Sequence, residues 1–279
     1  LRGRIAAYAT GPDYHHVLNE RLAKLVCYLR DLRPGAWTRP YVDTGPLLER
    51  EWAFRGGLGW FGKNTMIIRK STGSWFFLAE ILTDLDLQGS SVSADHCGTC
   101  TQCKTECPTN ALDESYKLKP PLCISYLTIE HRGAIPYDLR PKIGNWIFGC
   151  DICQEVCPWN DKFAETRNDR TDFFSPSLTA LMKLDDKQFR IKFRNSPITR
   201  TKRKGLLRNV AVALGNTQNS EAIGPLVGGL ADHEPLIRQH VVWALGRLHQ
   251  QPTLKRHLDH EKDDVVRQEI LSALGEIPS

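Results

Sequence analysis

The chain contains the run Cys97-Gly-Thr-Cys100-Thr-Gln-Cys103-Lys-Thr-Glu-Cys107-Pro108 and, further along, the run Cys150-Asp-Ile-Cys153-Gln-Glu-Val-Cys157-Pro158. The cysteines of the first run are separated by two, two and three residues, and those of the second by two and three. In proteins with two 4Fe-4S clusters, such short loops let consecutive cysteines reach one cluster, while the cysteine before proline ligates the neighbouring one. The spacing therefore predicts two iron–sulfur clusters within electron-transfer distance.

Counting ligands in this ferredoxin-like segment assigns eight of the nine cysteines in the chain. The predicted ligands of the first cluster are Cys97, Cys100, Cys103 and Cys157. The predicted ligands of the second cluster are Cys107, Cys123, Cys150 and Cys153. Cys123, between the runs, fills the position that the shorter run leaves open. Zinc sites and disulfides also use paired cysteines and stay open as alternatives, although neither requires this cadence before proline.

The ninth cysteine and the composition set broader limits. Cys27 lies in an apolar run, where we expect a buried, inert thiol. The 279 residues are 41% hydrophobic and 25% charged, with a net charge of +5, which is ordinary for a globular protein. No apolar run reaches the roughly 18 residues of a membrane span, and thiolate ligands favour a reducing compartment, so we expect a cytoplasmic protein without a membrane partner.

The chain is predicted to have an α+β fold class with four consecutive regions. Residues 1–95 form an α+β domain, 96–165 the two-cluster domain, 166–199 a connector and 200–279 a set of helical repeats. In the first region we predict a helix over Asp13–Leu32 and a hairpin made by Thr65–Arg69 and Trp75–Thr83. Because the chain begins at Leu1 in what reads as mid-domain sequence, we expect an N-terminally incomplete domain.

The last region repeats itself. Three Ala-Leu-Gly steps, at Leu214, Leu245 and Leu274, are 31 and 29 residues apart, and an arginine precedes each step. A helical unit with this period resembles a short HEAT-like solenoid. Such solenoids bind partners on their concave faces, although a helical cap that only buries the cluster domain is an alternative. A capped solenoid needs no second copy, so we expect a monomer.

A basic segment leads into the first repeat. Its cations are Arg200, Lys202, Arg203, Lys204 and Arg208. Five positive charges in nine residues could neutralise several phosphates of a nucleic acid, and RNA is favoured where a single base must be presented for chemistry. A solvated helix start is the simpler interpretation of a charge run this short.

Several motifs occur together in a fixed order: Asp43-Thr-Gly-Pro46, Gly59-Trp-Phe-Gly-Lys-Asn64, the two cysteine runs and Ser125-Tyr-Leu-Thr-Ile-Glu130. With the helical-repeat tail, this order closely resembles the epoxyqueuosine reductase family. The resemblance covers essentially the whole chain. It implies an oxidoreductase that uses two 4Fe-4S clusters and cobalamin to reduce epoxyqueuosine to queuosine at the wobble position of tRNA. The external electron donor is not indicated, because no flavin or NAD motif is present.

The resemblance also implies site residues. Asp43 would be the carboxylic acid that protonates the epoxide oxygen, and we expect it to be buried among apolar neighbours such as Val42 and Trp52. Asp-x-Gly-Pro is equally good turn chemistry, which is the structural alternative. The residues implied to line the corrin ring are Lys63, Asn64, Ile67, Ile68, Leu78, Ser125, Tyr126 and Thr128. The segment Asp13-Tyr-His15-His-Val-Leu18 lacks the final glycine of the motif that replaces the lower base of cobalamin with histidine. We therefore expect base-off cobalamin with no histidine on cobalt, in which cluster electrons give Co(I).

Two alternatives belong to other functional classes. The first is a reductive dehalogenase-like enzyme that acts on a small molecule, in which case the basic segment would be idle. The second is a noncatalytic two-cluster electron carrier with an interaction tail, which would hold iron and sulfide but no corrin.

Overall fold

The computed structural model describes residues 1–161 and 175–276. The chain divides into two compact units. The cluster unit contains Gly11–Lys119 and the described residues from 151 to 161, and the repeat unit contains Leu1–Thr10, Pro120–Cys150 and the described residues from 175 onward. This division interleaves distant parts of the chain, and the four consecutive regions stay a prediction. Parts of the predicted cluster domain and connector fall on 162–174, outside the described residues.

The cluster unit mixes helices with short strand pairs, which confirms the α+β class. Its elements are α1 Tyr14–Leu32, β2 Thr38–Tyr41, α2 Glu49–Arg55, β3 Trp60–Phe61, β4 Ile67–Ile68, β5 Glu80–Thr83, α3 Gln102–Thr105 and α5 Ile152–Glu155. Strands β2 and β5 pair antiparallel, with Tyr41 opposite Glu80, and β3 pairs antiparallel with β4.

Helix α1 begins where the sequence predicts. The Asp13 side chain accepts a hydrogen bond from the backbone N–H of His15, a contact that satisfies one unpaired donor of the first turn. Only Leu22 and Val26 of this helix are buried. Cys27 is exposed, so the expectation of a buried thiol is wrong: α1 packs with a narrow apolar stripe, and the rest of its apolar run faces outward.

The predicted hairpin is also wrong. Ile67 and Ile68 pair with the preceding strand β3, and Glu80–Thr83 pairs with β2 much earlier in the chain. An isolated antiparallel bridge joins Arg69, the end of the first predicted arm, to Gly73, which precedes the second arm. Both segments have the β-rich composition of strands, but composition does not specify the partner, and the more distant pairings prevail.

The glycines before Lys63 allow close packing of the chain on itself. A Cβ atom on Gly59 would lie 2.2 Å from the carbonyl oxygen of Ile68, and one on Gly57 would lie 2.4 Å from that of Ser91. Gly57 also has a positive φ of 69°, which L side chains rarely adopt. Glycine is therefore required here for tight folding of the loop.

The repeat unit is mainly helical. Its elements are β1 Arg4–Ile5, α4 Ile124–Ile129, β6 Trp146–Phe148, α6 Leu178–Leu181, α7 Asp186–Lys192, α8 Lys202–Asn216, α9 Ile223–Gly229, α10 Pro235–Arg247, α11 Gln251–Leu258 and α12 Asp264–Leu274. Strand β1 pairs parallel with β6. Helix α8 packs against α10, and α10 packs against α12. The helical repeats are thus confirmed.

The core of the repeat unit lies along α8. Twelve of its residues are buried, including Leu206, Leu207 and Leu214. Burying a leucine side chain contributes roughly 1.5–3 kcal/mol, so this helix is a major source of the unit's stability. Among the described residues, no helix combines the length and the hydrophobicity that crossing a bilayer requires.

Candidate functional site

Four of the predicted cluster ligands surround one cavity in the cluster unit. The cavity has a volume of about 420 Å³, and its lining includes Cys97, Cys100, Cys103 and Cys157. None of these four thiols is in a disulfide. The two runs therefore meet as the spacing predicts: three cysteines of the first run face the cysteine before proline of the second.

The electrostatics of the four sulfurs fit a metal cluster. Burial raises the pKa of Cys103 to about 11, and charge repulsion from Cys157, Cys97 and Cys100 adds to this rise. Burial also raises the pKa of Cys157. Four thiolates this close repel one another unless cations lie between them, and the irons of a cubane would supply that positive charge. In the part of the chain that the structure describes, no three His, Cys, Asp or Glu side chains converge to hold a single ion.

Aromatic side chains enclose one side of the cavity. Trp60 is 1% exposed and packs with Ile68 against Cys157. Its ring meets His96 and Trp159 edge-on, with centroid distances of 4.9 and 5.0 Å. This shell excludes water from one face of the sulfurs, which is one means by which a protein sets the potential of a cluster.

The other four predicted ligands are divided between the units. Cys107 and Cys153 belong to the cluster unit, and Cys123 and Cys150 belong to the repeat unit. In the cluster unit, Cys107 Sγ lies 3.6 Å from Thr109 Oγ1. The second ligand set stays a prediction.

Lys63 and Asn64 hold the two cysteine runs. Lys63 Nζ donates hydrogen bonds to the carbonyl oxygens of Gly98, at 2.6 Å, and Cys100, at 2.9 Å. Asn64 Nδ2 donates to the carbonyl oxygen of Cys153 at 3.1 Å. Neighbouring residues of one loop therefore fix both runs from the inside of the cluster unit.

The corrin lining implied by the resemblance stays a prediction, and the structure gives the contacts that its residues make within the chain. The side chains of Lys63, Asn64 and Ile68 line the cysteine cavity, and Ile67 is 3% exposed in the core. In the repeat unit, Thr128 is fully buried: its hydroxyl donates to Ile124 O and accepts from Gly149 N. Of the eight expected residues, Lys63, Leu78, Ser125 and Tyr126 retain exposed surface.

Asp43 lies in the loop between β2 and α2. Its φ is +54°, and the backbone N–H of Thr44 donates to Val42 O across it, which is the hydrogen-bond pattern of a strained γ-turn. Its side chain is 49% exposed, so the expected burial is wrong, although Val42 itself is buried. The turn presents the carboxylate outward.

Three side chains at the start of α1 organise the Asp43 carboxylate. Tyr14 Oη donates to Asp43 Oδ2 at 2.8 Å. His15 Nε2 lies 3.4 Å from the same oxygen and has no aligned hydrogen-bond partner, while His15 Nδ1 lies 2.7 Å from Asp13 Oδ1. If Nδ1 carries a proton, it donates to Asp13, and Nε2 is left to exchange a proton with Asp43. The arrangement can therefore resupply a proton to the carboxylate.

The surface beside Asp43 combines apolar and polar groups. The Tyr14 ring stacks on Phe77 with centroids 4.7 Å apart, and Phe77 is 45% exposed. Leu78 follows it with partial exposure. Exposed rings next to a few unsatisfied polar atoms, here His15 Nε2, suit a large, mostly apolar ligand with polar substituents. These residues fit a corrin ring.

The predicted nucleic-acid residues divide into two groups. Arg208 is 0% exposed and donates to the carbonyl oxygens of Leu127, His131 and Gly133. Arg203 is 9% exposed and forms an ion pair with Asp232. Neither side chain is available to a nucleic acid, which corrects the expectation for Arg203 and Arg208.

The remaining cations of the segment keep surface exposure. Lys202 is exposed and Lys204 is half-buried. Arg200 is exposed and forms an ion pair with Glu130. The basic segment therefore presents fewer exposed cations than the five that its sequence contains.

Sequence reasoning missed three parts of the Asp43 site. Asp13 was identified as the start of a helix, and its spacing of two residues from His15 is the signal that could have indicated a pair. Phe77 and Glu49 carry no motif of their own. They reach the loop only because β5 pairs with β2 and because α2 starts directly after the loop.

Family models match three parts of the chain. Residues 1–44 match the model described as epoxyqueuosine reductase QueG, DUF1730. Residues 96–160 match a 4Fe-4S double cluster binding domain, and residues 198–275 match HEAT repeats. The predicted iron–sulfur domain and repeat region are thereby confirmed.

Curated proteins similar to the chain include epoxyqueuosine reductases from several bacteria. The epoxyqueuosine reductase of Xanthomonas campestris is 45% identical over 254 residues, which cover 88% of this chain and 71% of that protein. The epoxyqueuosine reductase of Escherichia coli is 40% identical over 249 residues, covering 88% of this chain and 66% of that protein. The chain thus spans about two thirds of the length of these relatives.

Solved structures of epoxyqueuosine reductases are also similar to the chain. An epoxyqueuosine reductase with an epoxyqueuosine-modified tRNA-Tyr stem loop has a TM-score of 0.92 and 33% identity, over 100% of this chain and 76% of that one. The enzyme from Bacillus subtilis, described with its catalytic loop swung out of the active site, has a TM-score of 0.91 and 32% identity, over 99% and 75%.

Proposed function

The chain belongs to the epoxyqueuosine reductase family, a family of oxidoreductases, and we propose that it reduces the epoxide of epoxyqueuosine to the alkene of queuosine at the wobble position of tRNA. The observation that carries the proposal is the presence, in one unit, of a four-cysteine cavity and an outward-facing carboxylate organised by Tyr14 and His15. The first can deliver electrons and the second a proton.

The reaction needs both. Converting an epoxide to an alkene takes up two electrons and two protons and releases the oxygen as water. When bound, the two 4Fe-4S clusters and a base-off cobalamin with no histidine ligand would supply single electrons and a nucleophilic Co(I) centre. Cys97, Cys100, Cys103 and Cys157 would hold the first cluster, and Cys107, Cys123, Cys150 and Cys153 the second. Tyr14, Phe77 and Leu78 would pack on the corrin ring.

Asp43 is the proposed proton donor. As the carbon–oxygen bond of the epoxide opens, negative charge develops on oxygen, and a carboxylic acid within hydrogen-bond distance can protonate it. Tyr14 holds one carboxylate oxygen in place, and Asp13 orients His15 so that Nε2 can return a proton to Asp43 after each transfer. The relative described with a catalytic loop out of its active site is consistent with a mobile loop around this residue.

The proposed partner is a tRNA with a queuosine-type wobble base. The support comes from the relative solved with a modified tRNA stem loop and from the exposed side chains of Arg200 and Lys202 in the repeat unit. Cationic side chains of this kind bind the phosphates of any sequence. The base itself would then be selected at the Asp43 site. A cytoplasmic monomer that takes electrons from an external donor accords with this proposal.

One assay tests the function. The full chain is reconstituted anaerobically with iron, sulfide and cobalamin, given a strong chemical reductant and incubated with epoxyqueuosine-containing tRNA, and the nucleosides are analysed by mass spectrometry. We expect epoxyqueuosine to disappear and queuosine to accumulate. Turnover of a halogenated small molecule without any queuosine would instead support a dehalogenase-like enzyme, and protein that holds iron but no corrin would indicate an electron carrier.

A further inference from the structure

Two carboxyl side chains, Glu49 and Glu80, lie beneath the loop that carries Asp43. Glu49 is the first residue of α2, and its Oε1 accepts a hydrogen bond from the backbone N–H of Asp43. Glu80 is the first residue of β5 and lies opposite Tyr41, the last residue before the loop. The two carboxyls are therefore placed at the two ends of the seven-residue loop 42–48.

The loop folds back tightly over this pair. A Cβ atom on Gly45 would lie 2.4 Å from Cδ1 of Tyr41, so the loop closes directly on the end of β2. The Asp43 backbone has a positive φ, an unfavourable conformation that persists only where surrounding contacts fix it. The bond from Asp43 N–H to Glu49 is such a contact.

The pair needs one proton. Glu80 Oε2 is buried and has no hydrogen-bond partner among the described residues. Burial, then the charge of Glu49 and a side-chain hydrogen bond with it, raise the pKa of Glu80. Two ionised carboxylates have no hydrogen to donate, so a hydrogen bond between these side chains requires that one of them be protonated.

We propose that Glu49 and Glu80 are positioning residues for Asp43: one proton shared between them holds Glu49 where it binds the Asp43 backbone and presents the Asp43 carboxylate to the substrate. This inference rests on the proposed function of Asp43. It assigns no contact with substrate to either glutamate, since both act through the loop.

We call the Glu49–Glu80 pair and its bond to the Asp43 backbone the clamp. This clamp depends on pH in the neutral range. Burial, followed by the charge of Glu49 and the hydrogen bond with it, raises the pKa of Glu80 from 4.5 to about 7. The other charged or titratable side chains on the elements around the pair are Arg39 and Tyr41 on β2, Arg50, Glu51 and Arg55 on α2, Asp43 in the loop, and Tyr14, His15 and His16 at the start of α1. Below about pH 7 the pair holds its proton and the clamp is closed. Above that pH both glutamates are ionised and repel each other. Glu49 then moves away from the Asp43 backbone, and the loop is released.

Amide hydrogen exchange of the full chain, measured by mass spectrometry at pH 6 and pH 8 and corrected for the intrinsic rate, tests the clamp without turnover. In the wild type we expect peptides covering residues 42–48 to lose protection at pH 8. Glu80→Gln should keep protection at both values, because its amide donates to Glu49 at any pH. Glu49→Ala should lose protection at both.

Kinetics of the same variants connect the clamp to the reaction. Glu49→Ala should lower kcat about tenfold, as expected for a misplaced catalytic group, with little change in KM, and Glu80→Gln should flatten the alkaline limb of the kcat profile. Glu51→Ala is the control, because Glu51 lies on the same helix and its carboxylate pairs with exposed Arg55. The inference would be overturned if neither substitution changed amide hydrogen exchange at residues 42–48, or if the pH profile of kcat for Glu80→Gln were identical to that of the wild type. Wild-type protein without queuosine formation would refute the proposed function instead, whatever the exchange shows.

Discussion

Asp43 combines an unfavourable backbone conformation with three directed contacts. Tyr14 and His15 approach its carboxylate, and Glu49 accepts its backbone N–H. Strained residues held this way cluster at functional sites, because the surrounding structure must maintain them. At this scale the geometry favours a reactive group over a simple turn.

Replacing Asp43 tests that role. Asp43→Asn keeps an oxygen that accepts from Tyr14 but removes the acidic proton, so the rate of queuosine formation should fall by about 10²–10⁴. Iron content and thermal unfolding midpoint should stay at wild-type values. Asp86→Asn, an exposed residue of the same unit, is the control. Wild-type turnover by Asp43→Asn would remove this residue from the mechanism.

Lys63 and Asn64 show what a motif does and does not specify. The resemblance implies that they line the corrin ring, and in the structure their side chains bind the loops at Gly98, Cys100 and Cys153. The sequence could identify the residues as important. It could not tell a ligand contact from a loop contact, because both use the same donor groups.

At the scale of the elements, the repeated arginine explains how the helices are held together. Arg208 binds three backbone carbonyls, Arg238 forms an ion pair with Glu261, and Arg267 donates to Leu258 O and Glu261 O. Burial lowers the pKa of Arg208 to about 10, so it still carries its charge at neutral pH. The arginine is a structural contact of each repeat.

Arg208→Met measures that contact. The substitution keeps much of the side-chain volume but leaves buried carbonyls without donors, which should destabilise the chain by about 3 kcal/mol. The readout is the unfolding midpoint of helical signal in urea. Lys202→Met, which changes an exposed cation of the same helix, should leave the midpoint close to wild type. Equal unfolding midpoints for the two variants would show that the Arg208 contacts do not stabilise the repeat unit.

Element type was easier to predict than element pairing. The helix from Tyr14 and the three repeats follow from periodicity, which acts over neighbouring residues. The pairing of β5 with β2 joins segments about forty residues apart, and short strands with no turn signal between them carry no local record of their partner. The same long-range contact places Glu80 under the Asp43 loop, so the clamp could not be predicted either.

At the scale of the whole molecule, charge is the property most easily overestimated from sequence. The net charge is +5, yet Arg203, Arg208 and Arg238 are engaged inside the repeat unit. A count of cations therefore overstates the surface that a polyanion could use. Lys202 and Lys204 keep the exposure that phosphate contacts need.

Salt dependence of tRNA binding tests this surface. The double variant Lys202→Glu with Lys204→Glu should weaken binding and reduce the slope of log affinity against log salt by about 2, roughly one for each lost phosphate contact. Lys255→Glu with Arg256→Glu is the matched control, because both cations are exposed on α11. Equal slopes for the two double variants would place the tRNA elsewhere.

Cys157 provides the most direct test of the proposed electron-transfer site, because it is the residue of the second cysteine run that lines the cavity with Cys97, Cys100 and Cys103 and is the proposed fourth ligand of the first cluster. Iron analysis and electron paramagnetic resonance of the reconstituted, reduced chain should give about eight irons and two 4Fe-4S signals in the wild type. Cys157→Ala should lose iron and the signal of one 4Fe-4S cluster, whereas Cys27→Ala should not. Zinc in place of iron, or a Cys157→Ala protein with wild-type iron and signals, would contradict the shared-ligand arrangement on which the proposed reduction depends.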